Sequence, residues 1–430
     1  MWDQLPALIL TQIFSRLDRA DRISVSQVCR SWNRTLSSPV LWRSVTVFID
    51  RDLCGDIPLA SELVTKYGQH MRSLELAFSR PYISLRQIRI KRNSQTEAGA
   101  DFLAIVRAKN VQLRQLTLTN WIFGYKWGNR RTLLCALVNF LRSQRSLEIL
   151  SLLNANFGMA DVLRLLGTVA KGSGEHLISL DLRGAFREWQ APHDNPRYLC
   201  LLGRFHALTL LKLDYPALSN RALDALANGA SKTLKYLYIS VRDSDSRQHI
   251  IADSAWRNLV SACPDLTVSY TIVNISHYED MYYLLLPSVP LAKFHMFNGH
   301  VWDQSRSRNF RNTIGLIITQ YTNTLVEVLL QLRNNRESLD DLLVSMLIRC
   351  KRLTRLQYDG IVRSLEIIRN ICQLQVERKT HFSTIHVKPR NVNIQNRIIL
   401  NNINYQYDRK MHEQGVDFQI EDPTSILFFY

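Results

Sequence analysis

Residues able to do chemistry are plentiful in these 430 residues, but their spacing is not that of a reaction site. The eleven histidines are scattered, and His193-Asp194 and His412-Glu413 are simple neighbours in sequence. Adjacency alone does not make an acid–base pair, because the base must reach the proton that it moves. The seven cysteines, at 29, 54, 135, 200, 263, 350 and 372, form no CxxC pair. No histidine or second cysteine sits at ligand spacing, so no metal is expected. An odd set of thiols suits a reducing compartment, cytoplasm or nucleus, better than a disulfide framework. There is no GxxxxGKS or GxxxxGKT, GxSxG, HExxH or GxGxxG run, and Gly172-Ser173-Gly174 lacks the lysine of a phosphate loop. No catalytic residue and no cofactor are therefore expected, and the chain reads as a non-enzyme. What remains is the chemistry of binding.

Charge comes first. The net charge is +17, which suggests either an acidic partner or a solvated surface. The charge is spread along the chain. Its densest clusters are Arg86, Arg89, Lys91 and Arg92, then Arg306, Arg308 and Arg311. No aromatic residues interleave them as a stacking platform would need, so nucleic acid is the less favoured partner. A hydrophobic share of 46% with 21% charged residues is ordinary globular composition and argues against disorder. The opening Met1-Trp2-Asp3 has no basic or apolar leader region, so no signal peptide is expected. The densest apolar stretch, 281–286, is stopped by Pro287 and Pro290, so no membrane span is expected.

Regular apolar spacing is clearest at the start. Pro6, Ile9, Leu10, Ile13, Phe14 and Leu17 lie on one face of a helix with Pro6 in its first turn. A second set, Val25, Val28, Cys29, Trp32 and Leu36, repeats the spacing and reads as a second helix. Ser38-Pro39 reads as an N-cap and first position, with Leu41 and Trp42 on a third helix. Three short helices cannot bury this much apolar surface among themselves. A partner is one answer, and docking on the rest of the chain is the other.

The run Leu5-Pro6-x-x-Ile9-Leu10-x-x-Ile13-Phe14-x-x-Leu17 is followed by Asp21-Arg22, then Val25-Ser26-x-Val28-Cys29-Arg30-x-Trp32, then Leu41-Trp42-Arg43. This pattern resembles an F-box. The resemblance implies docking on the Skp-type adaptor of a cullin-based ubiquitin ligase, and through it on a cullin and a ring-type subunit. It implies first-helix contacts from Leu5, Pro6, Ile9, Leu10, Ile13, Phe14 and Leu17. Val28, Cys29, Trp32 and Leu41 would divide between adaptor contact and the box's own core.

Beyond residue 44 the informative feature is repetition. Val45, Val47 and Ile49 alternate as a first strand. Apolar-x-x-apolar-x-apolar then recurs, as at Leu113/Leu116/Leu118, Leu147/Leu150/Leu152, Leu177/Leu180/Leu182, Leu208/Leu211/Leu213, Leu234/Leu237/Ile239 and Leu353/Leu356/Tyr358. From Leu116 to Ile385 the period is near thirty residues, with an unsettled register at Leu266/Val268/Tyr270. Amphipathic segments of helical length lie between, at 131–142, 158–170, 220–230, 252–262 and 338–348. One strand–helix unit cannot close its own core, but stacked units can. Cys263 and Cys350 fall where a helix hands over to the next strand, as small packing residues.

This array resembles degenerate leucine-rich repeats. The expected fold is α/β: a short all-α F-box module over 1–44, then a strand–helix solenoid or horseshoe over 45–430, with 399–430 as its C-terminal cap. The segment 334–341, followed by Leu347-Ile348-x-Cys350-x-x-Leu353, resembles the subfamily of F-box only protein 39 and F-box only protein 33. The resemblance implies a non-catalytic receptor whose repeats hold a protein substrate for ubiquitination. A repeat scaffold without ligase activity and a basic nucleic-acid-binding solenoid are the alternatives. Residues beside the strand leucines would face the partner: Thr117, Ser151, Asp181, Lys212, Tyr238, His295, Gln357 and His386. Trp189, in the loop 183–198, and Trp302, in the loop 298–311, are further candidate anchors. The apolar end Ile426-Leu427-Phe428-Phe429-Tyr430 reads as a closing strand.

Overall fold

The computed structural model describes residues 5–17, 19–53, 59–78, 88–121, 130–187, 189–245, 249–275, 277–298, 309–334, 337–390 and 392–421. The chain falls into two compact units. The first comprises Met1–Gln190 with Pro196–Leu208, and the second Ala191–Asn195 with Thr209–Tyr430.

The first unit begins with a small helical module: α1 (Ala7–Ser15), α2 (Arg19–Ser26) and α3 (Arg30–Leu36). Pro6 stands just before α1 as its N-cap, in extended conformation, and its carbonyl accepts from Leu10 N–H at 3.1 Å. The expected second helix over Val25–Leu36 is two helices. Cys29 is fully extended between them and its thiol accepts from Trp32 N–H at 3.5 Å, so it caps α3 and breaks the run. The expected third helix is a 3-10 turn, Pro39–Trp42, and the Ser38 side chain makes no cap bond. Leu10, Phe14, Leu36 and Leu41 form the module's core, with Phe14 and Trp32 packed edge to face at 5.4 Å. Arg22 ties the pieces together, donating to Phe14 O at 3.1 Å and Leu41 O at 2.7 Å. Trp42 stacks on Tyr67 at 5.3 Å, so the module packs directly against the start of the repeats.

The rest of the first unit alternates strand and helix. Its strands are β1 (Ser44–Phe48), β2 (Ser73–Ala77), β3 (Gln115–Thr119), β4 (Ile149–Ser151) and β5 (Ser179–Asp181), each parallel to the one before. Its helices are α4 (Ile49–Asp52), α5 (Leu59–Tyr67), α6 (Ile88–Ala108), α7 (Arg130–Ser143), α8 (Met159–Gly172) and α9 (Pro196–Leu202). In the second unit the parallel strands are β6 (Leu210–Asp214), β7 (Tyr236–Arg242), β8 (Thr267–Val273), β9 (Leu291–Asn298), β10 (Glu327–Leu332), β11 (Arg355–Ile361), β12 (Thr384–Arg390) and β13 (Asp417–Ile420). Between them run α10 (Asn220–Gly229), α11 (Asp253–Ala262), α12 (Tyr278–Leu284), α13 (Phe310–Gln320), α14 (Asp340–Arg349), α15 (Glu366–Val376) and α16 (Ile394–Glu413). The strand–helix period is that of a leucine-rich-repeat solenoid within each unit, and the fold is α/β.

The repeat residues explain the elements. Leu116 and Leu118, Leu150 and Leu152, Leu180 and Leu182, Leu211 and Leu213, and Leu237 and Ile239 are all buried, while the residues between them face outward. Burying each such side chain contributes roughly 1.5–3 kcal/mol, and only paired neighbours can supply that burial. Cys263 and Cys350 are buried immediately after α11 and α14. Burial pushes their thiols up, that of Cys350 to about 11, which makes them packing residues with little thiolate character.

The register left open at Leu266/Val268/Tyr270 is set by a bulge. Val268 pairs with Leu291, but Ser269 pairs with Lys293, so Ala292 is an extra residue between β8 and β9. Phe294 consequently sits opposite Tyr270 rather than Thr271. At the far end α16 and β13 occupy the expected cap region, and the apolar residues 426–430 lie outside the described residues.

Strands β3, β4 and β5 each leave through a left-handed residue two positions beyond the second leucine: Asn120 (φ 58°), Asn154 (φ 54°) and Gly184 (φ 61°). Asn and Gly tolerate this conformation best. A Cβ on Gly184 would lie 2.5 Å from Asn154 Oδ1 and 3.0 Å from its Cα. Gly184→Ala is expected to cost ~1–3 kcal/mol. Gly315→Ala, inside α13 with open space around it, is expected to gain ~0.5–1 kcal/mol. Urea unfolding of the two variants checks both signs.

Candidate functional site

Two surfaces are candidates, one on the helical module and one on the exposed face of the strands. On the module the structure divides the predicted adaptor residues. Leu10, Phe14 and Leu41 are core, and Leu5, Leu17 and Trp32 pack against them half-buried. Cys29 is half-buried as the α3 cap. Pro6, Ile9, Ile13 and Val28 are exposed, Val28 by 60%. Two exposed apolar residues escaped the sequence reading: Leu8, at 70%, and Val40, at 50%. Leu8 lies beside Ile9 on α1, outside the single face that the spacing picked out.

In the first unit Glu75, Thr117, Ser151 and Asp181 stand in one register row across β2–β5. Asp181 is nearly buried and holds Arg183 by two side-chain bonds, Nε at 3.0 Å and Nη2 at 2.7 Å. Trp189, also in this unit, is 59% exposed, with the Arg187 guanidinium 5.6 Å from its ring.

In the second unit the predicted face residues fall into two rows, because Lys293 rather than His295 stands level with Ser269. Lys212, Tyr238, Ser269, Lys293, Glu327 and Arg355 form one row. Ser240, Thr271, His295, Leu329, Gln357 and His386 form the next. Lys212 lies over the Tyr238 ring at 5.5 Å. His386 meets Gln357 at 3.5 Å and Asp417 at 2.9 Å. A shallow depression opens between β10 and β12, lined by Leu329, Gln357, His386 and Lys388 among others. Trp302 lies outside the described residues, as do Arg86, Arg306 and Arg308. Arg311 pairs with Asp341 at 2.7 Å.

The strongest electrostatic feature of this face was missed in the sequence. Glu327 binds Lys293 Nζ at 2.8 Å and His295 Nε2 at 2.9 Å, and Arg355 approaches to 3.8 Å. Arg390 chelates Asp359 at 2.6 and 2.9 Å, and Lys388 pairs with Glu421 at 3.5 Å. The signal was available: the residue before the first strand leucine faces outward just as the residue after it does. Three carboxylates, Glu327, Asp359 and Glu421, are shared among these cations, so this part of the face offsets much of its own charge. Among the described residues no group of three or more His, Cys, Asp or Glu side chains could hold a metal, and no helix is long and apolar enough to cross a membrane.

The hydrogen bond from His295, reinforced by Lys293 and opposed by partial burial, holds the Glu327 carboxyl down at about 2, against an ordinary 4.5. Its ionised form is thus favoured by folding. The stability this contributes is complete above an ordinary carboxyl pKa and is lost as pH falls through the folded value. Between pH 4.5 and 2 the native chain should lose ~1–3 kcal/mol more stability than Glu327→Gln. Parallel acid-unfolding curves for the two proteins would refute that assignment.

Comparison with known proteins agrees with this architecture. The F-box-like family profile matches residues 2–47. The chain is 23% identical to F-box/LRR-repeat protein 21 of Bos taurus over 397 residues, covering 89% of this chain and 82% of that protein. It is 26% identical to F-box/LRR-repeat protein 8 of Bos taurus over 364 residues, covering 84% and 90%. With F-box/LRR-repeat protein 21 of Mus musculus the identity is 24% over 370 residues, covering 83% and 76%. The chain therefore carries an F-box-like module at its N-terminus and is similar over most of its length to F-box/LRR-repeat proteins.

Proposed function

We propose that this chain is the substrate-recognition subunit of a Skp–cullin–F-box ubiquitin ligase. One observation carries the reading. The helical module spends Leu10, Phe14, Leu36 and Leu41 on its own core and leaves Leu8, Ile9, Ile13, Val28 and Val40 exposed. A module this small does not keep five large apolar side chains in water without a partner to cover them. The Skp-type adaptor is the partner that the F-box-like match supports, and a cullin and ring-type subunit would join through it.

The repeats then hold a protein substrate. They offer mixed hydrogen-bonding and aromatic contacts, from Asp181 and Trp189 in the first unit and from Lys212, Tyr238, His295, Gln357 and His386 in the second. Bond making belongs to other subunits of the ligase. The contribution of this chain is proximity, which raises the effective concentration of a substrate lysine at the thioester. The paired charges of the second unit's face count against nucleic acid as that surface's ligand, since phosphate contacts need unpaired cations. The finer kinship with F-box only protein 39 and F-box only protein 33 rests on residues 334–341 and 347–353 alone.

The test uses Ile9→Asp/Ile13→Asp/Val28→Asp in the full-length chain. Carboxylates at exposed positions leave the fold intact, whereas burying them unpaired against an adaptor costs several kcal/mol. Co-purification with the adaptor should fall by roughly a hundredfold or more, with an unchanged circular-dichroism melt. Undiminished binding by that variant would sink the ligase reading and leave a repeat scaffold. Phe14→Asp is the wrong probe, because it places the charge in the module's core.

A further inference from the structure

At the N-terminal edge of the first unit's strands, successive backbones are locked into a column. Arg72 N–H donates to Arg43 O at 2.8 Å, and Arg114 N–H to Arg72 O at 2.7 Å. Glu148 N–H then donates to Arg114 O at 2.8 Å, and Ile178 N–H to Glu148 O at 2.7 Å. Three arginines therefore stand one above another at strand spacing, about 4.8 Å per step. All three are exposed. Lys109 and Arg145, in the loops that lead into β3 and β4, are exposed on the same edge and add to the charge.

Like charges on adjacent strands repel and destabilise the sheet. Little in the fold offsets this. Arg114 reaches Glu148 only at 3.6 Å and its side chain remains 66% exposed. Arg72 donates to the Gln69 and Met71 carbonyls, which carry no net charge. Among the described residues Arg43 has no acidic partner. The column is also not a property of the repeat. The matching positions in the second unit include Lys235, Leu266, Val326, Thr354, Ser383 and Val416. An open groove runs beside the column, lined by Arg72, Arg114, Glu148, Glu175, His176 and Ile178 among others, so its basic character is concentrated at the arginine end.

We infer that this arginine column is a docking site for an acidic protein segment that presents several carboxylates on one face, followed by an apolar side chain on the same face. Guanidinium groups match carboxylates in two-bond geometry, and three in line suit a chain laid across the strands. The column itself favours a peptide over nucleic acid. Its fifth step is Ile178, exposed by 43%, which suits an apolar side chain and offers a phosphate backbone nothing. No aromatic ring stands in the column to stack a base. The site stands independently of the ligase reading, because neither the adaptor nor ubiquitin transfer enters it.

The experiment is fluorescence anisotropy of the full-length chain with a fluorescein-labelled glutamate-rich peptide ending in leucine. The wild type should bind it, and added salt should weaken the binding. Arg72→Glu/Arg114→Glu should lower the affinity by roughly tenfold or more. Arg221→Glu/Arg349→Glu makes the same change in net charge at exposed positions of α10 and α14, and should leave the affinity near that of the wild type. Equal losses in both variants would show a general charge effect and overturn the site. So would wild-type affinity in the first variant, or no binding at all. An oligothymidylate that displaces the peptide, and that itself requires Arg72 and Arg114, would reassign the column to nucleic acid.

Discussion

The leucines of one strand leave water only if the strands on either side do the same. The rest of the repeat architecture depends on that condition. Parallel pairing keeps each buried pair level with the next, as Leu116, Leu150 and Leu180 are across β3–β5. It also forces the chain to travel back along a helix before each new strand. The left-handed residues Asn120, Asn154 and Gly184 are the local cost of turning off the sheet at a fixed point. Helices such as α8 and α11, with one apolar face, close the layer behind the leucines.

Because the buried side is spoken for, variation is confined to the outward side and the edges. The two units use that freedom differently. In the second, neighbouring strands carry opposite charges that satisfy one another, as Glu327 does with Lys293, His295 and Arg355. Such a face offsets much of its own charge. In the first, like charges are stacked at Arg43, Arg72 and Arg114, and the field projects into solvent. The chain's net charge is therefore not uniform decoration: one edge concentrates it, while one face offsets much of it.

Much of this was legible in the sequence because period and side-chain type report on burial. The strand leucines, five amphipathic helices and the buried hand-over cysteines Cys263 and Cys350 lie where periodicity put them. The break between α2 and α3 was not legible, since the apolar spacing runs straight through Cys29 and only its extended backbone interrupts the helix. Nor was the division of the F-box residues. Leu10 and Ile9 are both apolar and adjacent, and only packing decides which one is core. The arginine column was invisible for a related reason. Its members lie 29 and 42 residues apart in sequence, and strand register alone makes them neighbours.

The extra residue at Ala292 has a consequence for how the repeats can be exchanged. Across β7 and β8 the apolar motif and the strand register keep step, with Leu237 level with Val268, whereas at β9 the motif's Phe294 stands level with Tyr270, two residues further along the strand. A repeat copied from one side of the bulge to the other would keep its core but present its contact residues one row away. Grafting a recognition surface, or aligning this chain with a relative that lacks the insertion, therefore requires an offset at this junction. Modularity in this protein holds on either side of Ala292 and is interrupted across it.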